Sequence, residues 1–182
     1  MITQKKIHFI MPFLIIIALL ALLAYELFYK NINELPSTLI GETLPEFQLP
    51  AVIRSQNNLS SKQFVGQVSL LNVWATWCYA CTEEHAMLMK ISKDYHVPIY
   101  GIDYKDKHDD ALLWLNNKGN PYQLIGDDKK GDVAIDLGVY GTPETFIINR
   151  QGKIVYRHIG AITQDHWDQI LYPLIKKYEQ AQ

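Results

Sequence analysis

Two cysteines, Cys78 and Cys81, are the only ones among the 182 residues, and two residues separate them. A hydrophobic run with strand character, residues 68–74, leads into the pair, and a sequence typical of a helix, residues 82–95, follows it. A thiol at the beginning of a helix faces unpaired N–H groups and the positive end of the helix dipole, which stabilise its thiolate. Because the second cysteine lies one turn further on, the pair can close a disulfide and carry two electrons. The spacing predicts thiol–disulfide exchange.

Two other interpretations of the pair are inert buried cysteines and half of a zinc site. A structural zinc site needs four ligands, and His85 is the only further candidate near the pair. The ligand count therefore favours redox chemistry and predicts no metal site. The redox-active Cys78–Cys81 disulfide takes the place of a cofactor.

The charge balance excludes a class of partner. Lys and Arg number 17 against 19 Asp and Glu, for a formal net charge of −2. A nucleic-acid surface needs a basic face, so no nucleic acid is expected to bind. Beyond the N-terminal segment about 150 residues remain, enough for one domain with its own core.

The N-terminal segment is a separate feature of the chain. Residues 9–29 are apolar apart from Pro12 and Glu26, and Lys5 and Lys6 precede them. Such a run predicts a single transmembrane anchor, and lysines ahead of it predict a cytoplasmic N-terminus of residues 1–8. In a bacterium, the remaining domain then faces the periplasm, an oxidising compartment.

The alternative for this segment is a cleaved signal peptide. Its cleavage site requires small residues in an A-x-A pattern, whereas Ala18, Ala21 and Ala24 are each three residues apart. The spacing favours an uncleaved anchor in the bacterial inner membrane.

Strand-like and helix-like segments alternate after a linker at residues 30–43. The predicted strands are 46–52, 68–74, 98–104, 145–149 and 154–159, and the predicted helices are 58–64, 82–95, 111–118 and 165–178. Turn residues at 149–152 join the last two strands as a hairpin. The order predicts one α/β domain at residues 44–182, with a mixed sheet.

The element order and the motif at residues 77–81 resemble the thioredoxin superfamily over residues 43–178. The resemblance implies a three-layer thioredoxin-like sandwich. It also implies that Cys78 is the exposed nucleophile and that Cys81 is the more buried thiol that resolves the mixed disulfide.

A second motif, Thr142-Pro143, precedes a predicted strand. From the residues alone an ordinary trans proline is the common case. The superfamily resemblance instead implies a cis Pro143 that packs against the disulfide, with Thr142 alongside and a backbone edge left for substrate.

Several blocks resemble more specifically the membrane-anchored thiol:disulfide interchange proteins of cytochrome c maturation, the DsbE or CcmG family. The blocks are residues 70–78, 84–85, 119–122, 138–146 and 156–158. The resemblance implies a reductant of the cysteines of apocytochrome c, or of a maturation thiol protein, before haem attachment. A membrane thiol protein is implied as the electron donor.

The resemblance implies that two acidic residues, Glu84 and Glu144, tune the thiol chemistry of the cysteines. A carboxylate near Cys78 opposes thiolate formation, and a protonated one can shuttle a proton to Cys81. For Glu84 the alternative is a solvated first-turn glutamate that complements the helix dipole. The buried aspartate of general thioredoxins is replaced here by Asn72, which cannot accept a proton.

Aromatic residues near the motif predict a partner-binding surface of Trp77, Tyr79 and Tyr140 together with Thr142. The dipeptide Tyr79-Ala80 has no proline, unlike many maturation proteins of this type, and the dipeptide affects the reduction potential. Two other functions are therefore an oxidant that introduces disulfides and a copper chaperone that uses the thiols as soft ligands. No Met-rich pattern supports the chaperone.

Overall fold

A computed structural model describes the backbone of residues 3–29 and 39–180 and the side chains of residues 11–25 and 39–180. The chain divides into two units, Met1–Pro36 and Ser37–Gln182. Helix α1, Thr3–Tyr29, forms the first unit. Among the described residues, no helix combines the length and the apolar character that a membrane span requires. The predicted linker at 30–43 lies mostly outside the described residues.

A five-stranded sheet forms the centre of the second unit, in the order β5-β4-β3-β6-β7. Strands β3, β4 and β5 run parallel, whereas β6 is antiparallel to both β3 and β7. The strands are β1 Gln48–Leu49, β2 Leu59–Ser60, β3 Ser69–Trp74, β4 Ile99–Tyr104, β5 Leu124–Asp128, β6 Glu144–Ile148 and β7 Ile154–Ile159. The predicted mixed sheet and the hairpin of its last two strands are confirmed.

Helices and helical turns cover both faces of this sheet. They are α2 Tyr79–Lys90, α3 His108–Lys118, α4 Asp132–Asp136, α5 Gln164–His166 and α6 Tyr172–Gln180; a 3-10 turn covers Ser61–Phe64, and π-helical turns cover Ile91–Tyr95 and Trp167–Leu171. Leu88 of α2, Leu115 of α3 and Ile175 of α6 share one buried cluster with the sheet. The β1-β2 pair and α4 contribute to a second cluster. The result is the three-layer thioredoxin-like sandwich.

Strand β3 lies at the centre of both clusters, and all six of its residues are buried. Its side chains alternate: Leu70 and Trp74 belong to the first cluster, and Leu71 and Val73 to the second. A strand covered on both faces is mostly hydrophobic, as four of these six residues are, which explains its clear sequence signal.

Three elements escaped prediction: β2, β5 and α4. Residues 58–64 are predicted to be helical, but Leu59 and Ser60 form β2 and only a 3-10 turn at Ser61–Phe64 follows. The sequence of β5, Leu-Ile-Gly-Asp-Asp, has only two apolar residues, and α4 is only five residues long. Their positions depend on tertiary contacts: β5 pairs with β4, and the buried Asp128 accepts hydrogen bonds from the N–H groups that begin α4.

Three predicted boundaries were wrong. The helix after the cysteines begins at Tyr79 rather than at residue 82, because Cys78 caps it. Helix α3 begins at His108 rather than at residue 111. The first strand is two residues long, because only Gln48 and Leu49 find a partner strand.

Gly126 of β5 has a packing role that a larger residue cannot fill. A Cβ atom at this position would lie 2.6 Å from Leu49 Cβ and 3.2 Å from Leu59 Cβ. The small residue lets the β1-β2 pair close over the sheet, where Ala51 and Gly126 form a bridge.

We expect Gly126→Ala to lower the free energy of unfolding by about 1–3 kcal/mol, because the methyl group overpacks this contact. Chemical denaturation of the full chain measures the effect. Gly141→Ala serves as the matched control, since a Cβ there meets no atom within 4 Å. Equal stabilities of the two variants would contradict this account of the packing.

Candidate active site

Cys78 and Cys81 form a disulfide at the beginning of α2. Cys78 is the residue that caps the helix, and its Sγ atom accepts a hydrogen bond from the Cys81 N–H at 3.0 Å. Cys78 is 6% exposed and Cys81 is 2% exposed. In the reduced state the same N–H and the helix dipole stabilise a thiolate at Cys78 more than at Cys81, which lies within the first turn.

The turn before Cys78 is held by a residue that the sequence did not single out. Asp106 accepts hydrogen bonds from the N–H and the hydroxyl of Thr76. Trp77 Nε1 donates to the Lys105 carbonyl at 3.2 Å. Asp106 follows β4, the parallel neighbour of β3, and parallel strands end at the same edge of a sheet. This shared edge of two parallel strands is the signal that could have identified Asp106 from the sequence.

Pro143 lies next to the cysteine turn because of strand pairing. The Thr142-Pro143 peptide bond is cis, and Pro143 is buried immediately before β6. Glu144 at the start of β6 pairs with Val73 near the end of β3. The proline therefore lies at the sheet edge from which the chain passes to Cys78.

Glu84 is buried in the protein, with an exposure of 1%. Its Oε1 accepts from Asn72 Nδ2 at 2.9 Å, and its Oε2 accepts from the Ile162 N–H at 3.1 Å. Burial raises the pKa of Glu84 to about 7, although these two hydrogen bonds lower it. The solvated first-turn glutamate is thus excluded for Glu84; the neighbouring Glu83 is exposed.

Asn72 connects Glu84 to two residues that sequence reasoning missed. Its Nδ2 also donates to Thr145 Oγ1 at 3.0 Å, and its Oδ1 accepts from the Tyr122 hydroxyl at 2.8 Å. The amide therefore has a partner at each end and holds the Glu84 carboxyl in a fixed position. A groove of about 410 Å³, lined in part by Glu84, Met87 and Gln164, opens beside this carboxyl.

Glu144 is also fully buried, but its surroundings differ. Its Oε1 accepts from the N–H groups of Tyr140 and Gly141 at 3.1 and 3.3 Å, and its Oε2 accepts from Arg157 Nε at 2.6 Å. Burial raises the pKa of Glu144, while the Tyr140 N–H and the Arg157 guanidinium oppose the increase. Sequence reasoning did not identify Arg157.

Asp103 of β4 is a third buried carboxyl. It is 0% exposed, and neither of its oxygens accepts a hydrogen bond from a described residue. Burial raises its pKa to about 8, and the charges of Asp106 and Asp127 raise it further. It pairs with Trp74 across β3 and β4, one strand away from the cysteine turn.

The predicted partner-binding residues are accessible around the disulfide. Trp77 and Tyr140 are each 59% exposed and Tyr79 is 78% exposed, whereas Thr142 is half-buried. Large exposed aromatic side chains beside a reactive sulfur suit contact with another protein. Among the side chains that the structure describes, no three His, Cys, Asp or Glu residues are grouped so as to hold a metal ion.

We expect Glu84→Gln to change the pH dependence of stability. Because the pKa of Glu84 is about 7 in the folded protein and 4.5 ordinarily, its contribution to stability is lost as the pH rises through 7. Between pH 5 and pH 8, the free energy of unfolding should fall by roughly 2 kcal/mol less in the variant than in the wild type. Urea denaturation of the oxidised protein at several pH values measures this difference.

Glu83→Gln is the control, since Glu83 is the exposed neighbour on the same helix. Parallel pH profiles for the wild type and Glu84→Gln would show that Glu84 does not titrate in this range.

Comparison with known proteins places this site in a family. The model of the AhpC/TSA family matches residues 40–157. A thiol:disulfide interchange protein DsbE of Vibrio cholerae is 41% identical over 178 residues, covering 96% of both chains. The DsbE of Pseudomonas aeruginosa is 39% identical over 174 residues, again covering 96% of both.

Solved structures agree with the fold. A Chlorobium tepidum protein assigned as a DsbE covers 75% of this chain and 94% of its own, at 25% identity and a TM-score of 0.64. A secreted thiol-disulfide isomerase of Corynebacterium glutamicum covers 73% of this chain and 85% of its own, at 24% identity and a TM-score of 0.63. From the relatives and the matched family model together, the chain belongs to the DsbE family of thiol:disulfide interchange proteins, with a thioredoxin-like fold.

Proposed function

We propose that this chain is a membrane-anchored periplasmic reductant of the cysteines of apocytochrome c, or of a maturation thiol protein, before haem attachment. The observation that carries the proposal is a disulfide at the start of α2 with a buried carboxyl, Glu84, on the same helix one turn after Cys81. Its DsbE relatives make thiol–disulfide exchange the reaction. The direction and the substrate are our inference.

The reaction begins from the reduced pair. The Cys78 thiolate attacks one sulfur of the substrate disulfide, a mixed disulfide forms, and the other substrate sulfur leaves as a thiolate. Cys81 then loses its proton to Glu84 and attacks Cys78 Sγ, which releases the second substrate thiolate. The substrate gains two electrons, and the enzyme is left with the Cys78–Cys81 disulfide.

Glu84 suits the second step because its pKa of about 7 lets it take up and release a proton near neutral pH. The groove beside Glu84 gives that proton a route to water. An external dithiol, for which we propose a membrane thiol protein, then reduces the disulfide.

The charge near the cysteine pair supports the reductive direction. An oxidant has a reduced form that is stabilised by a low thiol pKa. Here an ionised Glu84 opposes a thiolate on the helix turn it shares with Cys81. A competing observation is the Cys81 N–H that donates to Cys78 Sγ, which favours thiolate and hence an oxidant. A reduction potential near −120 mV would favour the oxidant and one below about −200 mV the reductant.

The anchor is part of the same proposal. Residues 9–29 form an apolar run, and apolar side chains of α1 such as Phe13 and Leu22 are 65% and 61% exposed. We infer that these residues contact lipid and that Lys5 and Lys6 stay in the cytoplasm. Pro143, Thr142 and the exposed aromatic residues would then meet the partner in the periplasm.

We expect Cys81→Ser to accumulate a mixed disulfide between Cys78 and its partner, because no thiol remains to resolve it. Non-reducing electrophoresis of periplasmic extracts, before and after dithiothreitol, detects the adduct. Cys78→Ser is the control and should trap nothing. An equal yield of adduct from the Cys78→Ser protein would reverse the assigned roles.

We expect deletion of the gene to abolish or strongly reduce haem attachment to c-type cytochromes, and added small thiol to restore it. Haem staining of membrane and periplasmic fractions measures both effects. Undiminished attachment in the deletion strain would contradict the pathway. Loss without rescue by thiol would contradict the reductive direction.

A further inference from the structure

Arg157 of β7 is a charged residue whose side chain is only 6% exposed. Its Nη2 donates to the Gly138 carbonyl at 2.9 Å, and its Nε and Nη2 both lie 2.6 Å from Glu144 Oε2. The two side chains extend from neighbouring antiparallel strands, so the pair is held by the sheet itself. These contacts hold the buried guanidinium in one position.

The loop at residues 138–141 depends on this pair. Glu144 Oε1 accepts from the backbone N–H groups of Tyr140 and Gly141, while Arg157 holds the carbonyl of Gly138. The loop is therefore fixed at its beginning by a cation and at its end by an anion. Each charge compensates the other, which offsets part of the cost of burying it.

Arg157 also contacts the aromatic tip of the loop. Its guanidinium carbon lies 4.9 Å from the ring centroid of Tyr140 and 5.7 Å from that of Phe146. Phe146 is fully buried, whereas Tyr140 is 59% exposed. The guanidinium thus joins the Tyr140 ring to the protein core and leaves the ring accessible to a partner.

We propose that Arg157 is a positioning residue for partner recognition: with Glu144 it fixes the 138–141 loop and holds Tyr140 beside Pro143 for the incoming chain. Glu144 is then a structural anion of the partner-binding loop and not a proton carrier for the cysteines, contrary to its expected tuning role. The choice of partner rests on the function proposed above.

The two buried carboxyl groups, Glu84 and Glu144, differ in the charge of their neighbours. Glu84 has two hydrogen-bond donors and no cation among the contacts described for it, so it can gain and lose a proton. Glu144 has two backbone donors and in addition a cation, Arg157, whose charge favours the ionised form of the carboxyl.

The test compares Arg157→Met with the wild type, with Arg150→Met as matched control. Arg150 lies in the β6-β7 turn, far along the hairpin from Glu144, and its side chain donates to the Glu179 carbonyl. The substrate is an oxidised peptide that contains Cys-x-x-Cys-His, the sequence of haem attachment. A second measurement is the rate at which iodoacetamide alkylates Cys78 in each reduced protein.

We expect Arg157→Met to raise KM for the peptide about tenfold and to leave kcat and the alkylation rate within about twofold. Arg157→Lys should keep the charge but not restore KM, since it lacks the fork that spans Glu144 and Gly138. Tyr140→Leu should raise KM similarly, with no further increase when it is combined with Arg157→Met. A change in the pH profile of alkylation in Arg157→Met would overturn the proposal, because it would place Glu144 in contact with thiol chemistry.

Folding failure is handled by a second variant. If Arg157→Met does not fold, the double variant with Glu144→Gln removes the uncompensated charge, and we expect it to fold and to show the raised KM. An unchanged KM in either folded variant overturns the role of Arg157. If the wild type itself does not exchange with the peptide while it still reduces a small disulfide, the proposed substrate fails instead.

Discussion

Strand β3 has a neighbour on each side within the sheet and a packed layer on each face, so its polar side chains are removed from water. Asn72 carries the buried amide of this strand, and Glu84, Tyr122 and Thr145 supply its hydrogen-bond partners. The requirement to pair one buried amide therefore fixes the orientation of α2 over the sheet. The orientation of α2 in turn sets the position of the two cysteines at its start.

The site holds two buried carboxyl groups whose surroundings differ. The contacts described for Glu84 include no cation, and we propose that this carboxyl exchanges a proton with Cys81. Arg157 lies against Glu144, and we propose that this pair holds the 138–141 loop. Under these proposals, two glutamates have different roles because the surroundings of their side chains differ.

Local sequence was sufficient for the parts of the fold that are locally determined. Three features can be predicted from a few neighbouring residues: the mostly apolar run of β3, the cysteine pair at a helix start and the turn residues of the β6-β7 hairpin. Burial of Glu84 could be suspected from its position one turn after Cys81.

Contacts between distant segments could not be predicted in the same way. Asp106, Tyr122 and Arg157 reach the site from strands and loops far along the chain from the cysteines, and no local pattern predicts their contacts. The short β5 has too few apolar residues for a pattern, and its place is decided by the parallel partner β4. The second donor of Glu84 is likewise remote: the Ile162 N–H lies 78 positions further along the chain. Since ribosomes make proteins from the N-terminus, a nascent polypeptide contains both sulfurs and the Glu84 carboxyl long before Ile162 is made, so this carboxyl gains its second donor only after β7 has been synthesised.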